Sequence, residues 1–174
     1  MRSQNAIDLL AVLNASLPAF MSFLTILLMK RKGRKYIIQM GTLVCLICLG
    51  MMVLAFIIKG DQEKGGGFSA YLIISGMFIF MAIFGLTLGP VVWLYIPEIV
   101  EPNIIPFSTM TNLIGATFCI MVFPFLNNIN PAWVFLLFFG WCSVSFFINF
   151  RLMVETKDKS RVKIFEEFKN KKLL

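Results

Sequence analysis

Five long apolar runs, nearly free of charge, dominate this chain and leave room for little except a bundle of membrane-spanning helices. They cover roughly 6–29, 36–58, 69–94, 104–126 and 131–153, with short polar or basic segments between them. Hydrocarbon about 30 Å thick needs roughly 20 predominantly apolar residues per helical span. The runs are continuous, whereas the strands of a membrane barrel alternate every second residue and are only about ten residues long, so helices are favoured. A content of 59% apolar and 14% charged residues also lies outside the range of an ordinary soluble domain. The expected fold class is therefore all-α, a polytopic transmembrane helix bundle of about five spans over 1–154, followed by a basic tail over 155–174. The first run is too long, and lacks a small-residue cleavage site with a polar stretch behind it, to read as a removable signal peptide; it counts as a span with Asp8 near one end.

The formal charge of +7 is concentrated beside the spans. Lys30, Arg31, Lys32, Arg34 and Lys35 fill the first loop, and Arg151 to Lys172 carry the rest of the excess. Four spans separate the two clusters, which places them on one side, and the positive-inside rule makes that side cytoplasmic. Lys59, Asp61, Glu63 and Lys64 cancel in the second loop, and the turn from Asn127 to Pro131 carries no charge, as outer loops should. The C-terminus is then cytoplasmic and the N-terminus of this chain outside. Basic cytoplasmic loops account for the charge without any nucleic-acid partner.

The side chains that build metal or catalytic centres are sparse. Cys45, Cys48, Cys119 and Cys142 all fall inside spans, and the chain contains no His. Cys45 and Cys48 share a helix face, but zinc needs four convergent ligands, so small apolar packing is the expected role and neither a metal nor a cofactor is implied. Without His the commonest acid–base and nucleophile-activating partner is missing, which weighs against an intramembrane enzyme.

Polar residues and helix breakers inside the spans are the informative positions. Gly85, Gly89 and Pro90 interrupt the third span, with Trp93 one turn further on. Proline removes a backbone hydrogen bond and glycine lets neighbours approach, which suits either a gate beside a cavity or a structural kink with Trp93 at the interface. Asn112, with Thr109, Thr111 and Thr117, makes the fourth span polar on part of its surface. An amide in hydrocarbon must find a partner, either a neighbouring helix or a hydroxylated ligand. Glu98 and Glu155 fall at the same end as the basic loop and would pair with Arg34 and Lys35, a cluster able to bias one conformation over another. In the tail, Ile164, Phe165 and Phe168 form one face of a short basic amphipathic helix suited to the membrane interface. The terminal K-K-L-L has the form of a dilysine retrieval signal, although lysines near such a terminus are common.

The order and spacing of these features resemble the sugar transporter branch of the major facilitator superfamily, over nearly the whole chain. K-R-K-G-R-K is similar to the family's D/E-R-x-G-R-R, with Arg31, Gly33 and Arg34 matched and Lys30 in place of the acid. Gly41 falls where the family has a glycine early in span nine, and L-G-P-V-V-W matches G-P-x-x-W through Gly89, Pro90 and Trp93. Glu98 has the spacing of the family's glutamate after span ten; Asn112 with Phe123 and Pro124 matches N-W…F-P; V-E-T-K-D matches P-E-T-K-G through Glu155, Thr156 and Lys157. Leu113 stands where the family has Trp, and the loop from Glu101 to Phe107 lacks the family's arginines.

The resemblance implies spans eight to twelve of a twelve-span transporter, a partial C-terminal half. It implies that Trp93 and Asn112 line a sugar site, with Asn14 a further candidate because Pro18 occupies the family's span-eight asparagine position. Gly89 and Pro90 would form the gating helix, and Arg31, Arg34, Lys35, Glu98 and Glu155 a cytoplasmic salt-bridge network. The partners implied are the bilayer, a sugar or related polyol, and the missing N-terminal half or other membrane subunits. The expected function is facilitative or proton-coupled transport of a hexose-type sugar by alternating access. The alternative is a truncated homologue that serves as a non-transporting subunit.

Overall fold

The computed structural model describes residues 2–61, 66–129 and 131–171. Glu63 and Lys64 of the second loop, and Lys172 to Leu174 of the K-K-L-L terminus, lie outside the described residues. Seven helices follow one another: α1 (Arg2–Arg31), α2 (Arg34–Asp61), α3 (Gly66–Leu86), α4 (Leu88–Ile99), α5 (Ile105–Ile129), α6 (Pro131–Leu152) and α7 (Arg161–Asn170). Five membrane crossings result, because α3 and α4 continue each other as one span from Gly67 to Ile99. The chain is thus an all-α, multi-pass membrane bundle.

The helix α2 is the axis of the bundle. Cys45, Cys48, Leu49, Met52 and Ala55 are all buried along it, at the three- and four-residue spacing of a single face. Those side chains are mostly small, and close approach is what holds helices together where lipid is as apolar as the protein. Met52 sits against Gly76 of α3, where a Cβ would come within 3.1 Å of its side chain, and Phe56 stacks on Phe135 of α6 with ring centroids 5.1 Å apart. Cys45 and Cys48 are packing residues in this arrangement, and the described residues contain no group of side chains able to hold a metal ion.

A second core closes the end of the bundle that carries the tail. Ile37, Ile38, Val91, Tyr95 and Met153 pack together, with Leu28 and Met29 of α1 against them. Tyr95 is buried among these apolar groups, yet its hydroxyl donates to the Val154 carbonyl at 2.9 Å and accepts from the Val154 N–H at 3.2 Å. One side chain therefore satisfies both backbone groups of a buried non-helical residue, which would otherwise be costly to bury.

The helix α5 contrasts with all of this. Largely apolar but with Thr109, Thr111, Asn112 and Thr117 along it, this helix buries none of its side chains and rests mainly on α6. In a bilayer such a helix can face lipid, but it can equally be a surface that a further helix covers.

Candidate functional site

The broken span is built from two close contacts that flank the break. Thr87 leaves helical geometry with φ −124° and ψ −74°, separating α3 from α4, and Pro90 sits in the first turn of α4. Proline has no N–H to give the carbonyl four residues earlier, which is Leu86. The Thr25 hydroxyl of α1 donates to that carbonyl at 2.8 Å, and Thr25 is buried. On the same side, Gly85 lies against Pro18, so close that a Cβ would stand 2.7 Å from the Pro18 carbonyl oxygen. On the other side, Gly41 of α2 faces Thr87, whose Cβ would lie 2.5 Å from a Cβ built on the glycine. Gly89 and Pro90, expected as the gating pair, are thus the start of α4, while the seam is closed by Pro18, Thr25, Gly41, Gly85 and Thr87.

This arrangement gives a testable coupling. Thr25→Val keeps the shape of the side chain and removes the donor, which should cost about 1 kcal/mol of stability. In a Pro90→Ala background, where a backbone N–H can reach Leu86, the same change should cost much less. Equal costs in both backgrounds, measured by denaturation in mild detergent, would show that the threonine does not serve the proline.

The three candidate sugar ligands are dispersed over different helices. Trp93 of α4 is 48% exposed, and Asn112 of α5 is exposed with the rest of that helix. Asn14 of α1 is half-buried, and its Oδ1 is enclosed with no hydrogen-bond partner among the described residues. It lies one turn before Pro18, the proline inside α1. An apolar cavity of about 540 Å³ lies elsewhere. It opens between α2, α3, α5 and α6, and is walled by Met77, Phe80, Phe84, Phe123, Phe138 and Trp141 among others, with few polar groups. A sugar buried there would leave its hydroxyls without partners, so this cavity is apolar packing space and not a sugar site.

At the tail end, charged groups meet helix termini. Arg34 pairs with Glu98 at 3.1 Å. Glu155 makes no ion pair with Arg34; instead its Oε1 accepts from three backbone N–H groups, those of Arg34 at 2.9 Å, Thr156 at 3.0 Å and Lys157 at 3.1 Å. Arg34 opens α2, so the carboxylate lies at the positive end of that helix. Gly33 makes room for it, because a Cβ there would fall 2.7 Å from Oε1 and closer to Oε2. Thr156 is buried and donates its hydroxyl to Glu98, which joins the two acids. Arg31 and Lys35 form no ion pair among the described residues, since the acids near them are already engaged.

Cations from the tail reach the opposite helix ends. Lys157 Nζ donates to Lys30 O in the last turn of α1 at 2.9 Å, and Arg161 to Pro97 O near the end of α4 at 3.1 Å. Lys171 Nζ donates to Met153 O just past α6 at 3.0 Å. Each contact has the sign that the helix dipole favours. Asp158, with φ 57°, supplies the left-handed residue that turns the chain from the Glu155 strap toward α7. Tyr95 and Thr25 had no signal in the sequence beyond being polar residues near span ends or inside spans, and Thr156 had only its place in the V-E-T-K-D motif.

A helical membrane bundle with a glycine-lined broken span and a charged strap over one end is a transporter-like architecture. The comparisons specify it further: the family described as Sugar (and other) transporter matches residues 9–168, and the chain belongs to that family. Among its relatives is the "Probable metabolite transport protein CsbC" of Bacillus subtilis (strain 168), 27% identical over 165 residues, covering 90% of this chain and 35% of the relative. "Hexose transporter 1" of Plasmodium falciparum (isolate 3D7) is 26% identical, covering 87% of this chain and 30% of that protein. "Solute carrier family 2, facilitated glucose transporter member 2" of Rattus norvegicus is 23% identical, with 84% and 28% covered. The chain thus spans about a third of the length of these relatives.

Proposed function

We propose that this chain forms one wall of a sugar-transport pathway, equivalent to spans eight to twelve of a longer transporter that works by alternating access. The observation that carries this reading is α5: it presents Asn112 and buries no side chain, as a helix would whose neighbours lie outside the bundle. Relatives named as hexose and glucose transporters, about three times as long, support the same reading. Trp93 and Asn112 are the proposed sugar ligands, with the indole face against the ring and the amide on hydroxyls; Asn14 is a further candidate through its unpartnered Oδ1. Gly89 and Pro90, next to the Thr87 break, are the proposed gating segment. Arg34, Glu98 and Glu155 form the latch, on a side that the positive-inside rule makes cytoplasmic.

Radiolabelled hexose uptake tests the proposal. Proteoliposomes of the 174-residue chain alone should show none, whereas a longer transporter that contains it should take up hexose. Trp93→Ala and Asn112→Ala should each lower that uptake about tenfold or more, the effect of losing a stacking or hydrogen-bonding ligand of roughly 1.4 kcal/mol or more. Uptake by the short chain alone would refute the one-wall reading. Wild-type uptake in both variants would remove these residues from the site, and a chain found only in complexes that take up no sugar would make it an accessory subunit.

A further inference from the structure

The tail helix does not present Ile164, Phe165 and Phe168 as one outward face. Ile164 and Phe168 turn toward the protein, Ile164 being fully buried, so the apolar face is divided. Val162 is 68% exposed and Phe165 42% exposed, and with Lys169 they form a separate outward strip at the spacing of helical turns. Both ends of this ten-residue helix are tied to span ends, by Arg161 on Pro97 O and by Lys171 on Met153 O. It therefore lies across the end of the bundle at the depth where spans leave the hydrocarbon.

The charge around the strip is predominantly positive. Among the described residues, Arg161, Lys163 and Lys169 take part in no ion pair, while Glu167 is engaged by Lys159 and Glu166 remains as the exposed acid of the helix. Burial, and then the repulsion of Lys35, holds the Lys171 ammonium below the ordinary lysine range, against the opposing pull of Glu167. Apolar side chains flanked by unpaired lysines at headgroup depth complement a surface that is anionic outside and apolar just beneath.

We infer that α7 is a lipid-binding element: Val162 and Phe165 enter the acyl boundary of the adjacent leaflet while Arg161, Lys163 and Lys169 bind anionic phospholipid headgroups. The strap from Glu155 to Lys171 then couples headgroup charge in that leaflet to the span ends it holds. This inference does not depend on which solute, if any, the protein carries.

The test is amide hydrogen exchange of residues 161–171 in the full chain, reconstituted in nanodiscs of phosphatidylcholine alone or with roughly 30% phosphatidylserine. Anionic lipid should slow exchange about tenfold, given about 1 kcal/mol for each cation near the surface. About 0.5 M NaCl, which shortens screening to roughly 4 Å, should reverse most of that slowing. Lys163→Gln with Lys169→Gln should remove most of the lipid dependence, leaving only the share of Arg161, and Val162→Ser with Phe165→Ser should likewise remove most of it. Unchanged exchange across residues 37–49 shows in each case that the bundle is folded. Equal exchange in the two lipid mixtures overturns the inference. So does a slowing that inorganic phosphate reproduces in neutral discs, which would make the cluster a site for soluble anions. Full slowing in the Val162/Phe165 variant overturns the apolar half of it.

Discussion

Gly85→Leu should abolish folding of the bundle, and even Gly85→Ala should destabilise it by about 3 kcal/mol or more, at or beyond the upper end of ordinary overpacking. The collision is with main-chain atoms. A Cβ at this position would stand 2.7 Å from the Pro18 carbonyl oxygen and 2.9 Å from its carbon, and neither can rotate away. Relief requires α1 to separate from α3, and the Thr25 hydroxyl would then lose the Leu86 carbonyl that Pro90 leaves open. Gly115 is the control, because nothing lies within 4 Å of a Cβ added there. Gly115→Ala should leave denaturation in mild detergent unchanged or slightly improved, as alanine is the better helix former. A folded Gly85→Leu protein with wild-type stability would show that the two helices do not meet at this point.

Glu155→Ala should cost about 2 to 3 kcal/mol and free the tail, since three N–H groups lose a charged acceptor and α2 loses the anion at its positive end. The partial exposure of the site moderates the loss, because water can replace some of those bonds. Glu155→Gln keeps an acceptor oxygen and should cost about 1 kcal/mol. Gly33→Ala should mimic the loss by a different route: the new methyl displaces the carboxylate, whose flexible end can move but then leaves its donors. The two changes act on one contact, so the double variant should be little worse than Glu155→Ala. Protease cleavage within 155–171 and detergent denaturation read both effects. Additive losses would mean that Gly33 serves some purpose other than admitting this carboxylate.

These two sites differ in how far the sequence reveals them. The matched Gly33, Arg34, Glu98 and Glu155 pointed to a charged cluster at one end of the bundle, and the Arg34–Glu98 pair lies there. That Glu155 would take backbone N–H groups instead of a cation was not legible, because a capping carboxylate and an ion-pairing one look alike in one dimension. Arg31 and Lys35 were equally plausible members by charge alone; their geometry leaves them outside the ion pairs of the described residues. Gly85 and Pro90 signalled an interruption of the third span. The break itself falls at Thr87, since the helix yields where neighbours hold both sides, Pro18 against Gly85 and Gly41 against Thr87.

Apolar run length and the near absence of charge within the runs were enough to determine five membrane-crossing helices, because hydrocarbon forces each segment to satisfy its own backbone. The motif spacing was enough to indicate the sugar transporter family. Only the tertiary structure decided which helix is central, which carbonyl Thr25 receives, and how the tail meets four helix ends. Those outcomes depend on contacts between residues distant in sequence, where small side chains permit approach and a freed carbonyl or orphan N–H selects its partner. The same physics left α5 with no buried side chain, resting mainly on α6 among the described residues.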